Sequence, residues 1–550
     1  MIRLTEIKLP LDLPGSKQPD TAIADAVVRT LGIQADELQS VQIFKLSFDA
    51  RKAELLQVYI VDVALTSDAR EAEVLHRFEN NPHIRPTPDM AYKPVAIARE
   101  QLKNRPVVVG FGPCGIFAAL VLAQMGFEPI VLERGKKVRE RTKDTWDLWR
   151  KNQLHPESNV QFGEGGAGTF SDGKLYSQIK DPRFLGRKVM QEFVKAGAPE
   201  EILVDAHPHI GTFKLVKVVE HLREQIIALG GEVRFEQRVT DVKIENGQLQ
   251  GLTVLDLATQ QSYELPTQQA VLALGHSSRD TFVMLYERGV YMEAKPFSIG
   301  FRIEHPQSLI DRARWGRHAG HPLLGAADYK LVHHAKNGRA VYSFCMCPGG
   351  TVVAATSEVG RVVTNGMSQY SRNERNANAG IVVGITPEDF PTKHPLAGIE
   401  LQRTLESAAY VLGGCTYEAP GQLVGDFVKG IASTALGSVE PSYKPGVKLV
   451  DLATALPSYA IEAIREAIPA FGKKIKGFDL PDAVLTGVET RTSSPIKMTR
   501  GDDFQSINVR GLFPAGEGAS YAGGILSAGV DGIKVAEAVA LSLLEQAKKF

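Results

Sequence analysis

The sequence has few cysteines and no excess of charge of either sign. Four cysteines, at positions 114, 345, 347 and 415, occur among 550 residues, which excludes a disulfide framework and fits a reducing cytoplasm. The 63 Lys and Arg residues balance 63 Asp and Glu residues. No global field is therefore expected to hold a nucleic acid or an anionic membrane surface.

Long apolar runs are also scarce. The N-terminal segment MIRLTEIKLPLDLPG contains no apolar run long enough for a signal peptide, so secretion is not expected. The strongly apolar stretch 107–132 is interrupted by glycines, Pro113, Gln124, Glu128 and Pro129. This pattern is typical of strand, turn, helix and strand rather than of a membrane span. These absences predict a cytoplasmic protein.

A chain of this length predicts several domains, and prolines mark the first boundary. Residues 1–95 are expected to form a small α+β unit with a β-α-β-β order, its helix capped by Asp20 and ended by Gly32. The prolines between residues 80 and 106 predict a linker without regular elements.

From residue 106 onward, strands alternate with helices, which predicts an α/β unit. Residues 232–239 are expected to form one strand, followed by a β-meander with a turn at Asn246-Gly247. Residues 339–355 are expected to form two strands joined at the Pro-Gly-Gly segment 348–350. A long helix is predicted over residues 524–545.

The clearest chemical motif is the segment GFGPCG, residues 110–115, which follows a buried apolar strand and precedes a helix. Its glycines permit a tight turn, close approach of a pyrophosphate and close packing of helix on strand. The next strand ends in Glu133, whose carboxylate can accept the hydroxyls of an adenosine ribose. That carboxylate argues against NADP, although Arg134 follows it. The turn alone does not distinguish NAD from FAD.

Further segments resemble the flavoprotein superfamily whose FAD domain is like that of glutathione reductase and p-hydroxybenzoate hydroxylase. Gln269–Asp280 is similar to its strand followed by Ala-x-Gly, and Gly511–Ile525 is similar to the segment whose acidic residue bonds the ribityl chain. The usual Gly-Asp pair there reads Gly516-Glu517. Val239 stands where the superfamily commonly bonds adenine through its backbone.

Two more segments resemble an uncharacterised group of bacterial FAD-dependent dehydrogenases that carry an extra N-terminal domain. They are Gly163–Ser177 and Val488–Arg500. This resemblance covers essentially the whole chain and implies a discontinuous Rossmann-like FAD-binding domain, residues 96–280 and 486–550. An inserted α+β substrate domain, residues 281–485, and the N-terminal α+β domain, residues 1–95, complete the α/β architecture.

The resemblance implies FAD as the cofactor. The residues expected to bind it are Gly110, Gly112, Pro113, Cys114, Gly115, Glu133, Arg134, Arg141, Gly166, Gly168, Thr169, Ser171, Lys174, Val239, Ala273, Gly275, Gly516, Glu517, Gly523, Gly524 and Ile525. The helix that starts near the last three can stabilise negative charge on the flavin through its positive end.

Lys174, Cys345 and Cys347 are the candidate catalytic residues. The two cysteines fall on one face of a strand, with a Cα separation at the edge of disulfide reach. A redox pair would therefore need a bend, and packing is the alternative interpretation.

Other polar residues have a chemical and a structural interpretation. His276, Arg302 and Glu304 can act as acid, base or anion-binding groups, or they can be structurally paired. No metal site is expected, because the histidine pairs at 207 and 209 and at 333 and 334 lack further ligands.

These features predict an FAD-dependent oxidoreductase of the dehydrogenase type. It would transfer hydride or electrons between an unknown small-molecule substrate and flavin N5, with the external electron donor or acceptor left open. One GxGxxG turn and no CxxC pair disfavour a built-in NAD(P)H domain of the glutathione reductase kind. The alternatives are a flavin-dependent RNA-modifying enzyme, whose N-terminal unit would bind tRNA, and a non-catalytic flavin-binding protein.

Overall fold

The computed structural model describes residues 1–13, 18–51, 54–98 and 104–547. These residues form two compact units. The first comprises Met1–Tyr92, Lys180–Val194 and Ala198–His209, and the second comprises Lys93–Ile179, Lys195–Gly197 and the chain from Ile210 onward. The finer boundaries at residues 95, 280 and 485 stay predictions. No helix among the described residues is long and apolar enough to cross a membrane.

The first unit packs helices on one antiparallel sheet. Its elements before residue 93 are β1 (Ile2–Pro10), α1 (Pro19–Leu31), β2 (Leu38–Asp49), β3 (Leu56–Leu65), α2 (Asp68–Arg77) and β4 (Ile84–Pro86). The strand order is β2-β3-β1-β4.

Two predictions for this unit are wrong. Asp20 does not cap α1, because the helix begins at Pro19 and Asp20 lies in its first turn. The segment predicted to lack regular elements contains β4, which pairs with β1. An edge strand tolerates the proline at its end because one side of it needs no ladder partner.

The chain then forms an α/β segment and a meander. The elements are β5 (Val107–Val109), α3 (Pro113–Gln124), β6 (Ile130–Leu132), α4 (Val138–Lys151), α5 (Leu185–Lys195), α6 (Thr212–Ala228), β7 (Glu232–Arg234), β8 (Gln237–Glu245), β9 (Gln248–Asp256), β10 (Gln261–Pro266) and β11 (Ala270–Leu272).

A mixed segment and two terminal elements follow. They are α7 (Arg279–Glu287), β12 (Glu293–Ala294), β13 (Phe297–Pro306), α8 (Gln307–Trp315), β14 (Val332–His334), β15 (Ala340–Ala354), β16 (Thr364–Ser368), β17 (Asn376–Ile385), α9 (Ala397–Leu412), β18 (Ala419–Leu423), α10 (Val424–Lys429), β19 (Val447–Leu449), α11 (Ser458–Lys474), β20 (Val484–Glu489), β21 (Ile496–Lys497), β22 (Leu512–Pro514) and α12 (Ile525–Ala547).

Strands from distant parts of the chain build the parallel sheet of the second unit. Its order is β22-β11-β5-β6-β7, and each neighbouring pair is parallel. Buried parallel strands read as continuous apolar runs, as in Val107–Val109 and Ile130–Leu132. Helix α12, from the C-terminal end, packs against α3. This arrangement confirms the predicted discontinuous Rossmann-like domain.

The single strand predicted over residues 232–239 is wrong. The chain ends β7 at Arg234 in the parallel sheet and starts β8 at Gln237 in the meander with order β10-β9-β8. Between them Glu236 has a φ of 56°, which interrupts the extended backbone. The apolar pattern continues across this break, so composition does not reveal it.

The inserted sheet, with strand order β14-β15-β17-β13-β20-β18-β19 and β16 paired to β15, forms the rest of the second unit. Helices such as α11 pack on it around an apolar core. The inserted α+β part of the predicted fold class is therefore confirmed.

Within this sheet, the two strands predicted for residues 339–355 are in fact one, β15. Its register with β17 shifts between Phe344 and Cys347 and again between Cys347 and Gly350. Each shift places an extra residue in β15, which bends a strand without ending it. The Pro-Gly-Gly segment therefore lies in a bulged strand and not in a hairpin turn.

A cluster of buried charges joins α7, α9 and the segment after β20. Glu406 accepts from Arg279 Nη2 at 2.7 Å and from Arg491 Nη2 at 3.0 Å, and all three side chains are buried. Burial raises the pKa of Glu406, but the two guanidiniums outweigh it and hold that pKa well below its usual range. The cluster therefore depends on this carboxylate staying charged.

Glu406→Gln should destabilise the protein by about 3–5 kcal/mol, because two buried guanidiniums then lose their shared counter-charge. Glu400→Gln on the same helix is the matched control: its side chain is 64% exposed and pairs with Arg403 at 3.2 Å. We expect that control to cost less than about 1 kcal/mol. Urea unfolding of both variants measures the difference, and equal shifts would contradict the assignment.

Candidate active site

A cavity of about 380 Å³ lies within the second unit. One side is formed at the carboxyl edge of the parallel sheet, where the chain leaves β5 at Gly110, β6 at Glu133 and β11 at Ala273. The other side is formed by residues of β15, β16 and β20 in the inserted sheet. Ligands of open α/β sheets bind at this carboxyl edge. The inserted sheet therefore faces the expected ligand position.

The turn after β5 is tightly constrained. Gly110 has a φ of 100°, and a Cβ there would lie 2.4 Å from the carbonyl oxygen of Ala273. A Cβ on Gly115 would lie 1.9 Å from the carbonyl oxygen of Gly110. Gly112 differs, since its φ is −81° and a Cβ would meet only the Cα of Gly166, at 3.6 Å. The cavity occupies the space beside Gly112. The main-chain N–H groups in the first turn of α3 point into this space.

Glu133 connects this turn to a second glycine loop, residues 163–168. Its carboxylate accepts main-chain N–H groups from Phe111 at 2.9 Å, Gly135 at 2.8 Å and Gly163 at 2.9 Å. A carboxylate offers about four acceptor positions, so it retains capacity for one further donor from the cavity. Arg134 beside it also lines the cavity and is engaged by carboxylates.

Arg141 lies beneath the second loop rather than on the cavity wall. It is fully buried and donates to the carbonyls of Asn159 at 2.7 Å, Val160 at 2.6 Å and Glu164 at 2.7 Å. Burial lowers its pKa to about 10, although Glu133 and Glu164 oppose the shift. These hydrogen bonds from the Arg141 guanidinium fix the second glycine loop on its side away from the cavity.

Most of the residues predicted to bind FAD line the cavity. They are Gly110, Gly112, Pro113, Cys114, Glu133, Arg134, Gly166, Gly168, Ser171, Lys174, Val239, Ala273, Gly275, Glu517, Gly523, Gly524 and Ile525. Gly115, Arg141, Thr169 and Gly516 do not reach its wall. Their predicted contact with the cofactor stays a prediction, as does that of the lining residues.

The C-terminal segment brings a free carboxyl to the cavity. Glu517 lines it, and its carboxyl has no hydrogen-bond partner among the described residues. Burial raises its pKa to about 7, against the opposing charge of Lys295. At Gly523 and Gly524 a Cβ would meet nothing within 4 Å, so the start of α12 is open to a ligand.

Of the groups that the inserted sheet contributes, sequence reasoning named Cys345 but missed Glu489 and Thr364. Glu489 lines the cavity, and its Oε2 accepts from Arg302 Nε at 2.7 Å. Burial raises the pKa of Glu489 to about 7 despite that guanidinium. Thr364 also lines the cavity, and its buried hydroxyl has no partner among the described residues. Glu489 lies in the segment singled out by resemblance, whereas no local pattern marks Thr364.

Arg302 positions this wall from behind. Fully buried, it donates to the carbonyl of Cys345 at 2.8 Å and to Asn365 Oδ1 at 3.2 Å, besides Glu489. Both Cys345 and Asn365 line the cavity. Of the two interpretations given for Arg302, these contacts favour the structurally paired one.

Of the remaining candidate residues, two line the cavity and one does not. Lys174 lines the cavity and donates to the carbonyl of Met346. His276 lines it too, and burial together with Arg491 and Arg279 lowers its pKa to about 3. It is therefore neutral near pH 7. Glu304 does not reach the cavity.

Outside the cavity, one group of side chains has the spacing of metal ligands. Asp144, Asp147 and His155 bring ligand atoms within 4.8 Å of one another. Lysines already pair with the two carboxylates, at 3.0 and 2.8 Å. The absence of a metal site stays a prediction.

The cavity fits FAD. The space beside Gly112 suits a diphosphate, and the spare acceptor position of Glu133 suits a ribose hydroxyl. The carboxyl of Glu517 and the hydroxyl of Thr364 are unpartnered in the described chain and offer hydrogen bonds to a polar ligand.

Comparisons with known proteins agree with this fit. The family described as FAD-dependent protein, C-terminal domain-like, matches residues 296–492, and a domain of unknown function matches residues 1–64. A Clostridium beijerinckii protein described as uncharacterized is 47% identical over 542 residues, covering 98% of both chains.

Two solved structures show more distant similarity. A geranylgeranyl bacteriochlorophyll reductase-like protein from Thermoplasma acidophilum has a TM-score of 0.35 and 12% identity, over 80% of this chain and 79% of its own. The glycerol-3-phosphate dehydrogenase of Bacillus halodurans, complexed with FAD, has a TM-score of 0.34 and 11% identity, over 82% and 66%. The 47% identity over nearly the whole length decides the family: the chain belongs to the same family as the Clostridium beijerinckii protein, and its residues 296–492 match the model described as FAD-dependent protein, C-terminal domain-like.

Proposed function

We propose that the protein transfers hydride or electrons between a small-molecule substrate and the N5 position of FAD held in this cavity. One observation carries the proposal. A single cavity connects the glycine turn at residues 110–115 with the polar wall of the inserted sheet at Cys345, Thr364 and Glu489. The dinucleotide and the substrate can therefore meet in one cavity.

The parallel-sheet side supplies the groups that hold the cofactor. Amides at the start of α3 bind the diphosphate, assisted by the positive end of the helix. Glu133 accepts a ribose hydroxyl, and Glu517 accepts a hydroxyl of the ribityl chain. When bound, FAD supplies a two-electron acceptor or donor. The start of α12, at Gly523 and Gly524, favours negative charge on the ring system.

The inserted-sheet side supplies the groups that meet the substrate. Arg302 holds Oε2 of Glu489, which leaves Oε1 to the cavity. A carboxyl with a pKa of about 7 can take up or release a proton near neutral pH, as oxidation of a C–H bond next to a hydroxyl or amine requires. Thr364 and Asn365 can orient the substrate by hydrogen bonds.

An anaerobic screen of electron donors tests the proposal. The FAD-loaded protein is mixed with reduced nicotinamides, hydroxy acids, amino acids and sugar phosphates, and loss of the flavin absorption band is followed. We expect at least one donor to reduce the flavin rapidly. Reduction by dithionite alone, with no organic donor accepted, would favour the non-catalytic alternative. RNA binding with a steep salt dependence would favour the RNA-modifying alternative.

Gly112→Val should abolish retention of FAD, because the added side chain fills the space that the diphosphate needs. The backbone accepts valine there, since φ is −81° and the Cβ has room. We expect affinity for FAD to fall on the order of 100-fold or more, measured by flavin released from the purified protein.

The control for this variant is Gly384→Val, in which the added Cβ also meets nothing within 4 Å. Gly384 lies in β17, away from the cavity wall. It should keep a full complement of FAD. Equal retention by Gly112→Val, with unchanged circular dichroism, would show that the diphosphate lies elsewhere.

The FAD-free protein should lose stability through Glu517 as the pH rises. The carboxyl has a pKa of about 7 when folded and about 4.3 when unfolded. Below the lower value it is neutral in both states. Between the two values only the unfolded state ionises, so rising pH favours unfolding until the folded-state pKa is passed.

Glu517→Gln stays neutral, so its stability relative to the wild type should increase across this range. The gain should reach on the order of 3–4 kcal/mol near pH 8. Urea unfolding at several pH values measures it. Glu245→Gln, at a side chain that is 56% exposed, should show no such trend. A pH-independent difference for Glu517→Gln would contradict the raised pKa.

A further inference from the structure

Cys345 and Cys347 form a pair of thiols at the inserted-sheet wall of the cavity. Cys345 lines the cavity, and Cys347 is fully buried behind it. Both are free thiols. The Sγ of Cys347 donates to the carbonyl of Cys345 at 3.4 Å. One thiol is thus accessible to a bound ligand, and its neighbour is screened from solvent.

The backbone supplies the bend that a redox pair needs. In a regular strand, residues two apart lie at the outer limit of the Cα separation that a disulfide spans. Here three steps along β15, from Phe344 to Cys347, oppose two steps along β17. Cys345 itself has a φ of 42°, a conformation that costs a non-glycine residue of order 1–3 kcal/mol and is concentrated at functional sites.

Two cations face the thiols. Arg302 binds the carbonyl of Cys345, and Lys174 binds the carbonyl of Met346 between the two cysteines. The neighbouring thiol of Cys347, together with Arg302 and Lys174, lowers the pKa of Cys345 well below its usual value despite burial. The neighbouring thiol of Cys345 and burial raise the pKa of Cys347. The thiol toward the cavity is therefore the more easily ionised of the two.

We propose that Cys345 and Cys347 are a redox-active pair that exchanges two electrons with FAD bound in this cavity. In the oxidising direction the S–H bond of Cys347 breaks and one S–S bond forms between the two sulfurs. Two electrons and the single proton pass to FAD, so charge and atoms balance. The reverse reaction returns them and restores thiolate and thiol. This inference rests on the proposed placement of FAD.

The thiols themselves give a readout that does not depend on turnover. Holoenzyme equilibrated with air is quenched in acid, alkylated and digested with trypsin, which releases both cysteines on one peptide, residues 340–361. We expect that peptide to resist alkylation and to weigh two hydrogens less than its reduced form. After anaerobic reduction of the flavin, both cysteines should be alkylated. Full alkylation in air-equilibrated wild type would overturn the proposal.

Electron counting tests the coupling to the flavin. Anaerobic dithionite titration of the wild-type holoenzyme should consume four electrons per FAD, two for the flavin and two for the disulfide. Cys345→Ser and Cys347→Ser should each consume two. Cys415→Ser is the control, since that cysteine is exposed, and should consume four. A wild type that takes up two electrons overturns the proposal even if a disulfide is present.

The two proposals fail in different ways. If wild type and variants all bind FAD and take up two electrons, the oxidoreductase proposal stands and the thiol pair is structural. If the wild type binds no FAD, the placement of the cofactor fails first. The FAD content of the wild type and the number of electrons that it takes up decide each case. The thiol proposal can therefore be contradicted even if a serine variant folds poorly.

Discussion

The carboxylate of Glu133 holds together the two glycine loops on which the nucleotide half of the cavity depends. It accepts main-chain amides from Phe111, Gly135 and Gly163, which come from three separate turns. A buried amide left without a partner costs about 1–3 kcal/mol, so loss of this carboxylate would release all three turns. Glu133 thus has a structural task besides the ribose contact proposed for it, and substitution of Glu133 would affect both at once.

Elsewhere in the second unit, buried guanidiniums hold segments of the cavity in place by hydrogen bonds. Arg141 fixes the second glycine loop through carbonyls, and Arg302 fixes the inserted wall through Glu489, Cys345 and Asn365. A planar guanidinium presents five donors in a fixed geometry, which a lysine cannot reproduce. Both arginines act on the cavity without lining it, so their influence passes through the residues that they hold.

The nucleotide half could be predicted from the sequence because its signals are local. A glycine turn between a strand and a helix, with an acidic residue at the end of the next strand, falls within about 25 residues. On the inserted wall the sequence indicates Cys345 as a candidate, but not that it meets Thr364 and Glu489, because the three come together only through strand pairing in the inserted sheet.

Local composition also misled in one place. A Pro-Gly-Gly segment suits a hairpin and a bulge equally, and in β15 the partner strand β17 decides in favour of bulges. Arg141 lies behind the cavity wall, and its contact with the cofactor stays a prediction. Its depth in the core follows from how α4 packs, which no local pattern specifies.

Charges on the two sides of the cavity are coupled through its low-dielectric interior. Glu489 and Glu517 have pKa values of about 7, and the negative charge of Cys345 contributes to raising both. Any event that removes charge from Cys345 must therefore lower both carboxyl pKa values and release protons near neutral pH. Any anion entering the cavity must draw protons in. The electron transfer proposed for the thiols would thus be linked to protonation of the carboxyls by electrostatics, without a hydrogen bond between them.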